Sequence, residues 1–196
     1  MVQEDYLVVA NCGDSPVYIF REDTTSSSAT NVGQKGHANK DEKFVGEQLS
    51  LDHKPDMPEE RERINKIGGV LDQFESQVTG KKVGPMRVWS KETRQPGLAM
   101  SRSLGDNLAK SCGVVATPTV KIIPRNKLRD RAILVCSDGI SDQVSIPEMA
   151  DTIHFFYRKQ QDTENCCKQL VESATQKWHT KHNMQDDITC IVMFLR

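Results

Sequence analysis

From Ala132 to Cys136 the chain reads Ala-Ile-Leu-Val-Cys, five apolar side chains in succession, and then breaks into Ser137-Asp138-Gly139. A run this short, rich in branched residues and closed by a turn signal, is read as a strand buried on both faces. Such a strand needs a sheet around it and other elements packed on that sheet. It also ends in a carboxylate, held where a rigid element can aim it.

The remaining apolar runs extend this picture. Residues 6–11 (Tyr-Leu-Val-Val-Ala-Asn) read as a buried strand, and Cys12-Gly13-Asp14-Ser15-Pro16 as turn chemistry. Val17 to Phe20 is expected to return beside the first strand as a hairpin. Thr24 to Lys43 is polar and is expected to be a mobile loop. Val45 to Leu51 is a further strand candidate. A helix is expected next, capped by Asp56, with Pro58 in its first turn, Glu59 and Glu60 complementing its dipole, Ile64 and Ile67 facing inward, and Gly68-Gly69 ending it. Leu71 to Lys91 reads as irregular strands and loops.

After Gly139, Ser145-Ile146-Pro147-Glu148 has capping-box spacing and opens a helix to about Arg158. A second helix is expected from about Glu164 to Trp178, with Cys167, Leu170, Val171, Ala174 and Trp178 on one face. Ile188 to Leu195 is a β-prone close. Strands and helices are segregated, so the fold class is α+β with helices packed on sheets.

Length and charge exclude several functions. The 196 residues suit one domain with a substantial core, and a formal net charge of −1 excludes a general polyanion binder such as a nucleic-acid module. No run of residues reaches the roughly 18 apolar positions of a membrane span. The six cysteines contain no C-x-x-C pair and no zinc spacing, and read as buried reduced thiols of an intracellular protein, cytoplasmic or nuclear. Met1 to Tyr6 is acidic, carries no signal-peptide pattern and runs directly into a strand, so a further segment is expected upstream.

The chemistry lies in carboxylates at strand ends. Asp14 follows the first strand. Asp138 follows the 132–136 run, with Asp142 four residues on. Asp186-Asp187 stands just before the last strand. Hard oxygen ligands without Cys or His favour Mg²⁺ or Mn²⁺ over zinc. Each of these segments alone is also ordinary turn chemistry; their combination and order carry the information.

Asn11-Cys12-Gly13-Asp14-Ser15, Leu51-Asp52-His53-Lys54-Pro55, Glu62-Arg63-Ile64, Gly68-Gly69, Leu98 to Asp106 (Leu-Ala-Met-Ser-Arg-Ser-Leu-Gly-Asp), Cys136-Ser137-Asp138-Gly139 and Asp186-Asp187-Ile188-Thr189 occur in the order found in the type 2C serine/threonine protein phosphatases, and the chain resembles that family over nearly all its length outside the 24–43 loop. The resemblance implies a β-sandwich of two sheets flanked by helices, with two Mn²⁺ or Mg²⁺ ions, or three, at one end. It implies hydrolysis of phosphoserine and phosphothreonine on proteins by metal-activated water. By position, Asp138 and Asp186 would be ligands of the two-metal centre and act through its bound water. Asp14 and Asp142, with Asp138, would form a third, weaker site. Gly139 would let the chain turn sharply beside the ion, and Asp187 would orient its neighbour.

Residues of about 54–106 match the region that holds the family's flap, where Arg87, Lys91 and Arg94 are candidates for meeting a phosphorylated substrate. Arg102 and Asp106 are expected to be a structural pair or cap. His53 is given no catalytic role by the resemblance. His154, His179 and His182 are expected to be surface or packing residues. Pro16 and Ser141 replace residues common in the family, which affects packing more than chemistry.

The family's phosphate-gripping arginine and its Asp-Gly-His-Gly motif are not found before Tyr6. The chain is therefore expected to be a partial phosphatase domain, incomplete at its N-terminus, with about half of the two-metal ligands. Weak metal binding and marginal stability, or self-association through incomplete sheet edges, would follow. The alternative reading is a catalytically inactive phosphatase-like binding or regulatory module.

Overall fold

The computed structural model describes residues 1–23, 43–159, 161–181 and 186–195. The expected loop over 24–43 lies outside the described residues except for Lys43, and His182 lies outside them as well. In chain order the elements are β1 (Tyr6–Asn11), β2 (Val17–Glu22), β3 (Phe44–Gln48), α1 (Pro58–Ile67), β4 (Gly69–Glu75), β5 (Lys82–Ser90), β6 (Pro96–Leu98), α2 (Asn107–Lys110), β7 (Thr119–Pro124), β8 (Asp130–Cys136), α3 (Asp138–Ser141), α4 (Ile146–Lys159), α5 (Thr163–Lys181) and β9 (Cys190–Phe194). They divide into two compact units, one of residues 1–9, 16–49 and 121–196, the other of residues 10–15 and 50–120.

In the first unit, β3, β2, β8 and β9 form an antiparallel sheet in that order, with Ile19 opposite Ile133 and Cys136 opposite Cys190. Alternate residues Tyr18, Phe20, Leu134, Cys136 and Val192 point to one face, where they bury against Met149 and Ile153 of α4 and Leu170 and Ala174 of α5. On the other face Ile19 meets Leu7 and Val9 of β1, with Ile123 of β7 and Ile133 packed alongside. The unit is thus layered, with β1–β7, then the four-stranded sheet, then helices.

This arrangement corrects the expected hairpin. β1 pairs with β7, while β2 pairs with β3 and β8. The connecting turn, with Gly13 at φ 129° and Pro16 without an amide hydrogen, carries the chain from one sheet to the other. The apolar sides of β1 and β2 therefore meet face to face. The burial expected on both faces of β8 is also partial. Ile133 is covered, but Val135 is 38% exposed, as are Ile191 (63%) and Met193 (47%) on β9.

The helices of this unit begin where local chemistry directs. At the start of α4 the Glu148 carboxylate accepts the Ser145 amide hydrogen at 2.9 Å and its hydroxyl hydrogen at 2.7 Å. That is the reach-back half of a capping box. At the start of α5, Asp162 accepts the Asn165 amide at 3.0 Å. The inward line of α5 is Cys166, Leu170 and Ala174, with Cys167 and Val171 partly covered beside it.

The second unit packs α1, α2 and the meander β4–β5–β6 around Ile64, Val88, Ala109, Cys112 and Val114. The stretch expected to be irregular strands and loops forms the β4–β5 ladder, Gly69 opposite Ser90 and Val70 opposite Trp89, with its register irregular between Asp72 and Phe74. Met57, not Asp56, occupies the α1 N-cap, without a side-chain cap bond. Pro58 at the first turn and Gly68 at φ 100° frame the helix as expected, while Ile67 is exposed.

Glu60 proves to be more than a dipole residue. It accepts both Arg63 nitrogens at 2.9 and 2.7 Å, Arg102 at 2.6 Å and the Ser101 hydroxyl at 2.5 Å. Burial pushes its carboxyl up, but the hydrogen bonds from Arg63, Arg102 and Ser101 outweigh this and hold it well below the usual carboxylate range. Arg102 therefore pairs with Glu60 and not with Asp106. Asp106 instead occupies the N-cap of α2 at φ 48°.

Candidate active site

The candidate carboxylates divide between the two units. Asp138, Asp142 and Asp186 belong to the first, Asp14 to the second. In the first, β8 ends at Cys136, Ser137 continues in extended conformation, and α3 begins at Asp138. This single helical turn carries Asp138, half-buried, at its first position. Asp142, exposed, follows as its C-cap, and the Asp142 amide donates to the Asp138 carbonyl at 2.9 Å.

The approach to β9 is latched onto this turn. The Ser137 amide donates to the Thr189 carbonyl at 2.9 Å, and the Thr189 amide donates to Ser137 Oγ at 3.1 Å. The Ser137 hydroxyl donates to the Asp187 carbonyl at 2.8 Å. Asp186, exposed, accepts the amide hydrogen of Asp187 at 2.7 Å. Gly139 is helical, so the sharp turn expected of it is not its role. A Cβ on it would collide with the Asp187 carbonyl and stand 3.1 Å from Ile188 Cγ1. It is a glycine because the Asp186–Ile188 segment lies directly on it.

Asp14 sits in a separately braced turn. Asn11 Nδ2 donates to the Gly13 and Leu51 carbonyls at 3.0 and 2.9 Å, and Lys54 pairs with the Asp14 carboxylate. His53 is fully buried. Its Nδ1 accepts the Gly13 amide at 3.2 Å and its Nε2 lies 2.8 Å from Thr119 Oγ1. Burial, then the nearby Arg102 charge, pulls its pKa below the ordinary histidine value, so the ring is a neutral brace.

The substrate candidates lie in the hairpin of the second unit. Arg87 donates to the Gly97 carbonyl at 2.7 Å. Arg94 pairs with Asp72 at 3.2 Å and stacks 5.5 Å from the Trp89 ring centre. Lys91 is exposed in the turn after β5.

The donor chemistry fits a hard divalent cation, because the side chains brought to the β8 end are carboxylates. The Cys190 thiol, opposite Cys136 at the end of β8, is an unsuitable ligand, since burial pushes it up to about 12. Among the described residues, no group of three or more His, Cys, Asp or Glu side chains is gathered closely enough to hold an ion.

Sequence reasoning did not assign roles to Ser137 Oγ, nor to Lys177 and Trp178. The indole nitrogen of Trp178 donates to the Gly139 carbonyl at 2.7 Å, and Lys177 Nζ to the Gln143 carbonyl at 3.2 Å. The only advance signal was general: a tryptophan on a packed helix face must place its N–H.

A sequence model described as protein phosphatase 2C matches residues 1–184. The chain belongs to the protein phosphatase 2C family. Among its relatives, probable protein phosphatase 2C 48 of Oryza sativa subsp. japonica is 33% identical over 192 residues, which cover 97% of this chain and 48% of the relative. Probable protein phosphatase 2C 72 of Arabidopsis thaliana is 31% identical over 196 residues, covering 100% and 52% respectively. This phosphatase 2C chain thus spans about half the length of the curated relatives it matches.

Solved structures agree on the fold. A serine-threonine phosphatase 2C from Toxoplasma gondii superposes with a TM-score of 0.74 at 21% identity, covering 99% of this chain and 56% of the other. A C. elegans sex determining protein gives 0.63 at 20% identity, covering 97% and 37%. The α+β, phosphatase 2C-like architecture is therefore established.

Proposed function

We propose that this chain is the part of a metal-dependent serine/threonine protein phosphatase that carries Asp138, Asp142 and Asp186 on one unit and Asp14 on the other. The observation that carries the reading is the latch at Ser137, which joins the Asp138 turn to the Asp186–Asp187 segment through contacts at 2.8, 2.9 and 3.1 Å. Two distant stretches of sequence, each bearing a family carboxylate, are thereby held together.

Asp138 and Asp186 would hold Mn²⁺ or Mg²⁺, and Asp142, with Asp138, would serve a further, weaker site; Asp14 stays a candidate ligand on its own unit. The chemistry such ions supply when bound is activation of water and neutralisation of the phosphoryl oxygens of phosphoserine or phosphothreonine. The chain's own contribution is positional. β8 and the Ser137 latch fix where the Asp138 and Asp186 segments begin, and the absent side chain of Gly139 lets them close up. Arg87, Lys91 and Arg94 belong to the reading as the basic side chains that a phosphoprotein would meet.

The six cysteines, none of them in a disulfide, support an intracellular setting, cytoplasmic or nuclear. Among the described residues no helix is long and apolar enough to cross a membrane. Exposed Val135 on β8, and Ile191 and Met193 on β9, an edge strand among the described residues, support self-association.

The test is hydrolysis of a phosphothreonine peptide by the purified chain, with and without Mn²⁺, beside Asp138→Ala. Turnover that needs both Mn²⁺ and Asp138 supports the reading. Turnover indifferent to Asp138→Ala overturns it. A folded sample that binds the phosphopeptide without turnover would point to the binding-module alternative.

A further inference from the structure

The turn α3 is four residues long and carries Asp138 at one end and Asp142 just past the other. Alone, a helix of this length has little stability, because its nucleus costs more than its few bonds return. Its internal support is the Asp142 amide to the Asp138 carbonyl at 2.9 Å, with the Gln143 and Val144 amides on the Ile140 carbonyl at 3.0 and 2.8 Å. The carbonyls of Gly139 and Gln143 are taken up from outside, by two consecutive residues near the end of α5. Trp178 Nε1 holds Gly139, and Lys177 Nζ holds Gln143.

Lys177 is itself fixed. It pairs with Glu148 at 2.5 Å, and that carboxylate also accepts the Ser145 amide and hydroxyl. Lys177, followed by Ser145, draws the Glu148 carboxyl down to about 2, so the pair persists throughout the neutral range. The nineteen-residue helix α5 is anchored in the main core through Cys166, Leu170 and Ala174. A long helix thus reaches two backbone oxygens, one on the short helix and one just past its C-cap, each one residue beyond a candidate ligand.

We propose that Trp178 and Lys177 are positioning residues: the end of α5 clamps the 138–143 segment by two backbone carbonyls, one within α3 and one just past its C-cap, and so sets the placement of the Asp138 and Asp142 carboxylates for a divalent cation. This rests on the reading that these carboxylates take the metal. Hydrogen bonds behind a ligand commonly change metal affinity by about 10–100-fold when removed. A residue that served the core alone would change stability and leave affinity untouched.

The test separates the two. Trp178→Phe keeps an aromatic ring and removes the N–H. Lys177→Met keeps the stem and removes the charge, and Lys177→Arg restores a donor. Mn²⁺ binding to the 196-residue chain is measured by calorimetry, and amide hydrogen exchange is measured on the metal-free chain. Trp178→Phe and Lys177→Met are each expected to weaken Mn²⁺ binding about 10-fold and to lose exchange protection at Asp142, Gln143 and Val144, with Lys177→Arg near wild type.

With a wild type that binds Mn²⁺, unchanged affinity in Trp178→Phe and Lys177→Met, or unchanged protection of those three amides in Trp178→Phe, would overturn the clamp. Failure of the metal reading looks different. Wild type would bind no Mn²⁺, or Asp138→Asn would bind as well as wild type. The metal-free exchange data would then decide the clamp alone, loss of protection supporting it and retained protection sinking it.

Discussion

The carbonyl of Asp187 lies against the α-carbon of Gly139 so closely that no side chain fits between them. This contact joins the strand-end turn bearing Asp138 to the segment bearing Asp186, and the neighbours that would have to give way are backbone atoms and Ile188 Cγ1. Gly139→Ala is therefore expected to push the two segments apart. The overpacking cost is about 1–3 kcal/mol, and for a chain of this size each kcal/mol lowers Tm by roughly 2–4 °C. Thermal unfolding followed by circular dichroism checks this; a Tm equal to wild type would show that the segment shifts freely.

Glu60 gathers Arg63, Arg102 and Ser101, and its own side chain is 2% exposed. Glu60→Gln would leave two largely covered guanidinium groups without their counter-charge. Removing one partner of a buried ion pair costs about 3–5 kcal/mol, and because Arg63 and Arg102 keep 23% and 17% exposure the low end, about 3 kcal/mol, is expected here. Ser101→Ala removes one hydrogen bond and should cost about 1–3 kcal/mol. Urea unfolding of the two variants would order them, and the reverse order would contradict this account of the cluster.

What could be read from the sequence was local. The end of α1 at Gly68, the Ser145–Glu148 start of α4 and the β8 strand into Ser137-Asp138-Gly139 each follow from neighbouring residues. What could not be read depended on distant partners. The β1–β2 hairpin failed because turn residues show where a strand ends but not which strand it then joins. The Arg102–Glu60 pair spans 42 positions, and no spacing rule connects them. The candidate site divides the same way. Motif order singled out Asp138 and Asp186. The Ser137 and Trp178 hydrogen bonds that hold their segments reach across 50 and 39 positions and exist only once β8, β9 and α5 have packed.

His53 makes stability depend on pH near neutrality. Its folded pKa is lowered, chiefly by burial, from the ordinary value of 6.5. The unfolded chain therefore binds a proton here more readily than the folded one, and stability rises with pH across this window. The contribution is fully present above the unfolded pKa of about 6.5 and is lost as pH falls below it toward the folded value. Between pH 7 and about 5, above the carboxylate range, wild type should lose more stability than His53→Gln, whose amide can occupy the same bonds without titrating. Parallel pH profiles in the two proteins would assign the dependence to another group.

Ser137 offers a sharper probe of the candidate site than any carboxylate, because it is not itself a proposed ligand. Its hydroxyl donates to Asp187 and accepts from Thr189, while its backbone keeps the ladder bond to the Thr189 carbonyl. Ser137→Ala removes the first two contacts and preserves the third, so β8 and β9 should stay paired. The global cost is expected near 1 kcal/mol, whereas Mn²⁺ affinity should fall about 10-fold because the Asp186 segment loses its tie to the Asp138 turn. Ser137→Thr keeps the hydroxyl and should recover most of that affinity. If Ser137→Ala instead bound Mn²⁺ as tightly as wild type, with the same modest stability loss, the latch would be a feature of the strand end alone. The carboxylates would then owe their placement to α3 and its own supports.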